Sequence, residues 1–134
     1  MADRASDENK IINAATLETS YQTSGVTIAT GIEVRADDKF TLIVLYDKGS
    51  AETANVCEVE IAFSPDGTNY ALYGDWTNTS GQLTYTPLYF NVAQDQYAII
   101  NVEGLGRYMR VRTKEEGVAA VAGTATIYLY RNKN

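Results

Sequence analysis

The chain has 134 residues with 45% hydrophobic and 21% charged content, values typical of one globular domain that can bury a core. A net charge of −6 opposes contact with phosphate backbones, so nucleic acid is not an expected partner. Histidine is absent and Cys57 is the sole cysteine, which excludes an intrachain disulfide, a Ser-His-Asp triad and a thiol–histidine pair.

The N-terminal sequence MADRASDENK lacks the apolar core of a signal peptide, and no apolar run approaches the roughly 20 residues of a membrane span. We therefore expect a soluble protein that is made in a cytoplasm and has no membrane partner. Residues 1–22 are predicted to form an extended N-terminal arm, because they are polar and rich in Thr, Ser and Asn. Such an arm either reaches a neighbouring subunit or is a floppy terminus. The sandwich domain is expected over residues 23–134.

Alternation of apolar and polar residues predicts strands from Val26 onwards. Two short strands are expected at 26–29 and 32–35, with Gly31 as a bulge or turn between them. The next strand, Phe40 to Tyr46, is apolar on both faces and is expected at the centre of the fold.

The segment Val56 to Trp76 predicts the clearest hairpin of the chain. Its turn contains Pro65 and Gly67, which suit a fixed φ and a positive φ, and Asp66, which can cap its own backbone. We then expect a loop at 77–81, a strand at 82–92 interrupted by Pro87, and strands at 97–102, 108–113 and 124–130. Eight or nine short strands without a helix predict an all-β fold, a single antiparallel β-sandwich of jelly-roll type.

Two neighbouring acids are the first candidates for catalytic groups. Glu58 and Glu60 lie about 7 Å apart on one strand face, within the range of about 5 to 9.5 Å that glycosidases need. Alternation places them on the solvent side, where Arg110 and Arg112 are expected as cross-strand partners, so we expect no catalytic role. The basic residues Arg107, Arg110, Arg112 and Lys114 are expected to form mainly the solvated face of one strand.

Three further patterns also favour structure over chemistry. Cys57 alternates with Val59 and is expected to be a small buried hydrophobe. Asp66 to Asn69 supplies oxygen ligands but lacks the spacing of a calcium loop, and turn formation explains it. Gly104 to Arg107 is too short for a phosphate loop. No catalytic, cofactor-binding or metal-binding residue is therefore assigned, and an enzyme is not expected.

Aromatic residues are the remaining candidates for binding. Tyr128 and Tyr130 alternate with Ile127 and Leu129, and most such rings are expected to cover the second sheet. Trp76 and Tyr73 are the least certain, because exposed rings can stack on sugars or pack against another protein.

Two segments carry a family resemblance. The pattern VEIAFSPDGTNY, with Ser64, Asp66, Gly67 and Tyr70, and the later GRYMRVR, with Gly106, Arg107, Tyr108, Arg110 and Val111, resemble a recurring form in small β-sandwich virion proteins of tailed bacteriophages. Discoidin-like and other carbohydrate-binding sandwiches show a looser version of the same two pieces.

The resemblance implies a virion structural protein, and a small, acidic, arm-bearing chain looks most like a capsid decoration (cement) protein. Such a protein sits on the outer capsid surface, contacts the major capsid protein or other virion proteins, and is expected to be a homo-oligomer, with a trimer favoured. Synthesis would take place in the host cytoplasm. The alternatives are a carbohydrate-binding β-sandwich module and a neck or tail component of the virion.

Overall fold

A computed structural model of the chain describes residues 10–17, 20–22, 25, 27–35, 39–47, 55–86, 88–92, 96–116 and 123–132. Within these residues the backbone forms eleven strands and no helix, so none of them belongs to a helix that could cross a membrane. In chain order the strands are β1 (Lys10–Thr16), β2 (Ile28–Glu33), β3 (Lys39–Asp47), β4 (Asn55–Ser64), β5 (Ala71–Tyr73), β6 (Asp75–Thr79), β7 (Gln82–Thr86), β8 (Leu88–Val92), β9 (Gln96–Glu103), β10 (Tyr108–Glu116) and β11 (Thr124–Asn132).

Two antiparallel sheets make up the body of the molecule. The four-stranded sheet has the order β1-β11-β3-β9, and the five-stranded sheet has the order β2-β10-β4, with β5 and β8 both paired to the outer edge of β4. The sheets pack against each other, which confirms the expected all-β antiparallel sandwich. A separate two-stranded hairpin consists of β6 and β7.

The core is built from alternate residues of both sheets. In β3 the inward residues Phe40, Leu42, Val44 and Tyr46 are at most 1% exposed, while the residues between them are half-buried. Full burial of one such side chain contributes about 1.5–3 kcal/mol. β3 lies between β11 and β9, in agreement with its expected central position.

Part of the segment expected as an arm belongs to the sheet. Residues 10–16 form β1, which pairs with β11, and Ile12 and Leu17 are 2% and 4% exposed in the core. The Leu17 amide also donates to the carbonyl of Gly123 at 2.9 Å. Thr, Ser and Asn density did indicate an extended chain, but it could not indicate the strand with which that chain pairs. The expected arm residues 1–9 lie outside the described residues.

One strand replaces the two that were expected around Gly31. Ala29 pairs with Val111 and Ile32 pairs with Met109, so β2 uses three steps where β10 uses two. The extra residue is a β-bulge, as one of the two expectations for Gly31 had it.

The expected loop at 77–81 and strand at 82–92 are arranged differently in the structure. Residues 75–79 and 82–86 form β6 and β7, joined by Ser80 and Gly81, both with positive φ. Positive φ at both central residues defines the tight turn that matches the twist of paired strands. Polar residues had indicated a loop, but cross-strand pairing makes them a hairpin. β7 ends at residue 86 and β8 begins at residue 88, and Pro87, where the interruption was expected, lies outside the described residues.

Candidate functional site

The two segments that carry the family resemblance contact each other. The Arg107 amide donates to the carbonyl of Ser64 at 2.9 Å, and the Tyr108 ring lies against Gly67. A Cβ atom at Gly106 would lie 3.0 Å from the same Ser64 carbonyl oxygen. The two sequence pieces are therefore one structural unit at the end of β4 and the start of β10.

Asp66 is committed to the turn in which it lies. Its carboxylate accepts hydrogen bonds from the amides of Thr68 and Asn69 at 2.8 Å each, from the Asn69 side chain at 2.8 Å, and from the Ser64 hydroxyl at 2.9 Å. The backbone amides, that of Asn69 first, hold the pKa of Asp66 well below its usual range. Turn formation thus accounts for both carboxylate oxygens, and the described residues contain no acidic cluster that could hold a metal.

The solvent position expected for Glu58 and Glu60 is wrong, because each is only 4% exposed. Their expected partners are correct. Glu60 accepts from Arg112 through both carboxylate oxygens, at 2.8 and 2.7 Å, and from Arg110 at 2.9 Å. The Nζ atom of Lys114 lies 3.3 Å from Oε2 of Glu58 and forms an ion pair with it. We call this surface of the five-stranded sheet the charged face; its three cations are half-buried instead of forming a solvated strand face.

Tyr21 explains why the charged face is buried. Its hydroxyl donates to Glu58 at 3.2 Å, and its ring centroid lies 4.7 Å from the Arg112 guanidinium and 4.9 Å from the Lys114 ammonium. Burial first, and then the charges of Glu58 and Glu60, raise the pKa of Tyr21 well above its usual range. This part of the expected arm therefore lies across the protein's own sheet.

A third buried carboxylate lies on the core side of β10. Glu115 is 3% exposed and accepts hydrogen bonds from the Tyr46 hydroxyl and the Gly123 amide, each at 2.9 Å. These contacts connect the two sheets at one end of the sandwich, so Glu115 has a structural role. No local sequence pattern indicates this role, because the partners of Glu115 lie in distant segments.

Cys57 is a core residue, as expected, with 0% exposure. Burial first, and then the charges of Glu115 and Glu58, raises the pKa of Cys57 to about 12. Since the thiolate is the reactive form, this cysteine is an inert packing group in the folded state.

Raising the pH above 9 is expected to lower the free energy of unfolding, because the unfolded chain releases the Cys57 proton while the folded chain retains it. The stabilisation is complete below the unfolded pKa and is lost as the pH rises towards 12, with a slope of at most about 1.4 kcal/mol per pH unit. Urea unfolding at several pH values measures this, with Cys57→Ala as the control. Equal slopes for the two proteins between pH 9 and 10 would contradict the expectation.

The β6–β7 hairpin carries an aromatic pair. Trp76 and Tyr85 are register partners with ring centroids 5.4 Å apart, and Trp76 remains 46% exposed. Leu83, two residues before Tyr85 on the same face, is 69% exposed. Tyr73, in contrast, packs edge-on against Phe63 at 5.5 Å and belongs to the margin of the core.

The outer surface of the four-stranded sheet is apolar at its centre. Ile43 is the register partner of both Tyr128 and Ile99, and Leu45 is the partner of Tyr97. These five uncharged side chains lie side by side on three strands, on the side opposite the buried Leu42, Val44 and Ile127. Tyr97 and Ile99 are 68% and 69% exposed. We call these five residues the open face.

The position expected for the tyrosines of β11 differs in the structure. Tyr128 and Tyr130 lie on this outer side, half-buried, and do not face the second sheet.

Contiguous exposed apolar patches on soluble proteins mark sites of contact with other molecules. The open face fits such a site, and the sequence held a partial signal for it in the apolar residues on both faces of β3. Comparison of the chain with known protein families, with curated proteins and with solved structures finds no match.

Proposed function

We propose that the protein is a structural component of a tailed-phage virion, a decoration (cement) protein that binds the outer capsid surface through protein–protein contacts. The observation that carries this proposal is the open face, where Tyr97 and Ile99 are about two-thirds exposed beside half-buried Ile43 and Leu45. The five side chains carry no charge, and the Lys10 ammonium lies beside them, 5.6 Å from the Tyr128 ring centroid. A largely uncharged sheet surface can pack on another protein at a low cost of desolvating charges. The major capsid protein is the proposed partner.

The strand order supports the same proposal. Apart from β5 to β7, the strands in chain order alternate between a sheet ordered β1-β11-β3-β9 and a sheet ordered β2-β10-β4-β8, except that β4 and the following β8 are neighbours in one sheet. This double arrangement supports the expected jelly-roll topology, which is frequent in viral capsid and lectin domains. The net charge of −6 suits a position outside the shell, away from the packaged DNA.

Binding to purified empty shells of the phage that encodes the chain tests the proposal. Ile99→Glu places a charge in the open face and is expected to weaken binding at least ten-fold, a loss of about 1.4 kcal/mol. Leu83→Glu is the matched control, because Leu83 has the same 69% exposure but lies on the hairpin. Absence of binding by the unchanged protein, or equal losses in the two variants, would overturn the proposal.

The proposed assembly state is a homotrimer. Light scattering after size-exclusion chromatography should then give three times the chain mass of 14.7 kDa. A deletion that tests the arm should remove residues 1–9 only, because removal up to residue 20 would also delete β1 and the buried Leu17. Loss of shell binding on that deletion would mean that residues 1–9 are part of the surface that contacts the capsid.

A carbohydrate-binding module is the second candidate, favoured by the exposed Trp76 beside Tyr85. Aromatic rings of this kind stack on sugar rings through their apolar faces. A glycan array separates the two functions, because sugar binding that is lost in Trp76→Ala and retained in Ile99→Glu would favour the module. A neck or tail component shares the fold, and electron microscopy of labelled virions distinguishes that position from the capsid surface.

A further inference from the structure

β9 forms one edge of the four-stranded sheet. It pairs with β3 from Gln96 to Glu103 in continuous register, and no other strand among the described residues pairs with its second edge. On an edge strand the N–H and C=O groups of alternate residues point away from the sheet. β9 therefore offers main-chain donors and acceptors along a strand of eight residues.

The other edges of the two sheets have features that hinder the addition of a strand. β1 and β2 are irregular in register against β11 and β10, and β5 and β8 are short, with three and five residues. β9 has no such irregularity, contains neither proline nor glycine, and has Glu103 at its end as its one charged residue. Bulges, short strands and charges are the usual protection of a sheet edge, so β9 is an unprotected edge.

The apolar side chains of β9 are incompletely covered on both sides of the sheet. Ala98 and Ile100 pack against the core but remain half-buried, whereas the inward residues of the neighbouring β3 are at most 1% exposed. On the outer side, Tyr97 and Ile99 are about two-thirds exposed. A further strand beside β9 would remove apolar surface from water on both sides, which favours its addition.

A groove of about 430 Å³ lies at the same edge. Its described lining comes from both sheets and consists of Tyr73 of β5, Lys39 of β3, and Asn101, Val102 and Glu103 of β9. The Tyr73 ring packs edge-on against Phe63, and the Tyr73 carbonyl accepts a hydrogen bond from the Tyr85 hydroxyl at 3.3 Å. This wall of the groove is therefore held in place, and a side chain can enter without reordering the main chain.

A strand added to β9 would use the edge and the groove together. Because successive side chains of a strand point to opposite faces, alternate side chains would lie on the side of Val102 and the groove. The others would lie on the outer side, next to Tyr97 and Ile99. In this mode of recognition, main-chain hydrogen bonds give affinity and pockets for alternate side chains give specificity. The segment that fits is extended and uncharged, with apolar side chains on both sides.

We propose that β9 binds an extended segment of the capsid protein, which adds to the four-stranded sheet as a fifth strand. Tyr97 and Ile99 of β9 belong to the open face, so a protein that packs on the open face lies next to this edge. The identity of the partner rests on the function proposed above, whereas the edge and the groove do not depend on it.

Overlapping synthetic peptides of about ten residues, the length of a strand, that cover the major capsid protein of the same phage test the proposal with the full chain. At least one peptide is expected to bind with a Kd below about 0.1 mM. Single N-methyl groups, placed at successive amides of that peptide, remove one N–H donor each and retain every side chain. Methylation of an amide that faces β9 should weaken binding by about ten-fold or more, and methylation of the next amide by less than about two-fold.

Hydrogen exchange and a pair of variants locate the bound peptide. Amides within residues 97–102 of β9 should exchange more slowly with peptide bound, and those of β1, the opposite edge of the sheet, should not. Ile100→Lys puts a charge on the core side of the edge and should weaken peptide binding by about ten-fold or more. Ile11→Lys is the matched control, because Ile11 is a half-buried isoleucine of β1, and it should stay within about two-fold. Circular dichroism checks that both variants fold.

The outcomes separate this inference from the capsid function. If the chain binds shells but no peptide, or if the losses do not alternate along the methylated peptide, strand addition is wrong and the capsid function stands. Absence of shell binding would remove the capsid function together with this partner. If Ile100→Lys separates the homotrimer into single chains, β9 pairs with a second copy of the chain, which also overturns the proposal.

Discussion

Replacing Glu60 with alanine is expected to lower the free energy of unfolding by about 3–5 kcal/mol. Glu60 is 4% exposed and accepts three hydrogen bonds from Arg110 and Arg112. The substitution would leave two half-buried guanidinium groups next to Lys114 without the carboxylate that neutralises them. Urea unfolding, followed by circular dichroism, measures the loss.

Glu103→Ala is the control for this experiment. Glu103 lies at the exposed end of β9, so the same substitution there should change the free energy of unfolding by no more than about 0.5 kcal/mol. If Glu60→Ala costs less than about 1 kcal/mol, the charged face does not need its carboxylate. The ion pairs would then contribute as little to the free energy of unfolding as exposed ion pairs do.

Replacing Gly106 with alanine is expected to cost about 2–5 kcal/mol, from two separate causes. Its φ of +76° lies in the left-handed region, which costs an L-residue about 1–2 kcal/mol. In addition, the new Cβ would lie 3.0 Å from the carbonyl oxygen and 3.3 Å from the carbonyl carbon of Ser64, and overpacking of this kind costs about 1–3 kcal/mol.

Gly81→Ala separates these two causes. Gly81 has a similar φ of +79°, but its Cβ would meet nothing within 4 Å. It should therefore show the conformational cost alone, and Gly106→Ala should exceed it by the cost of the contact with Ser64. Equal losses of stability in the two variants would mean that the close approach between the two resemblance segments contributes nothing.

Local alternation was enough to predict much of the sandwich. In β4 and β11 the aliphatic residues Val59, Ile127 and Leu129 alternate with polar or tyrosine side chains and face the core. The turn after Ser64 likewise has the chemistry that its sequence indicates. Register between distant strands could not be predicted in this way. The pairing of β1 with β11 joins segments more than a hundred residues apart, and periodicity carries no information on such partners.

Candidate sites were harder to predict than strands. Alternation correctly put Glu58 and Glu60 on one face, but burial of that face depends on Tyr21, which lies far away in the sequence. The cleft at the ends of β2 and β11, which Arg107 also lines, likewise joins residues from three separate segments. A local signal for the β6–β7 hairpin was interpreted as a loop at 77–81, although Ser80-Gly81 between two Thr-rich runs is typical of a two-residue turn.

The outer edge of β4 is arranged so that the β6–β7 hairpin could be replaced. β5 ends opposite Ile61 and β8 begins opposite Val59, so the points where the chain leaves and rejoins this edge are about two strand rises, or roughly 7 Å, apart. A short connection could span that gap in place of residues 74–87. The hairpin is thus a natural insertion point, where evolution or an engineer can exchange a displayed peptide while both sheets keep their pairing.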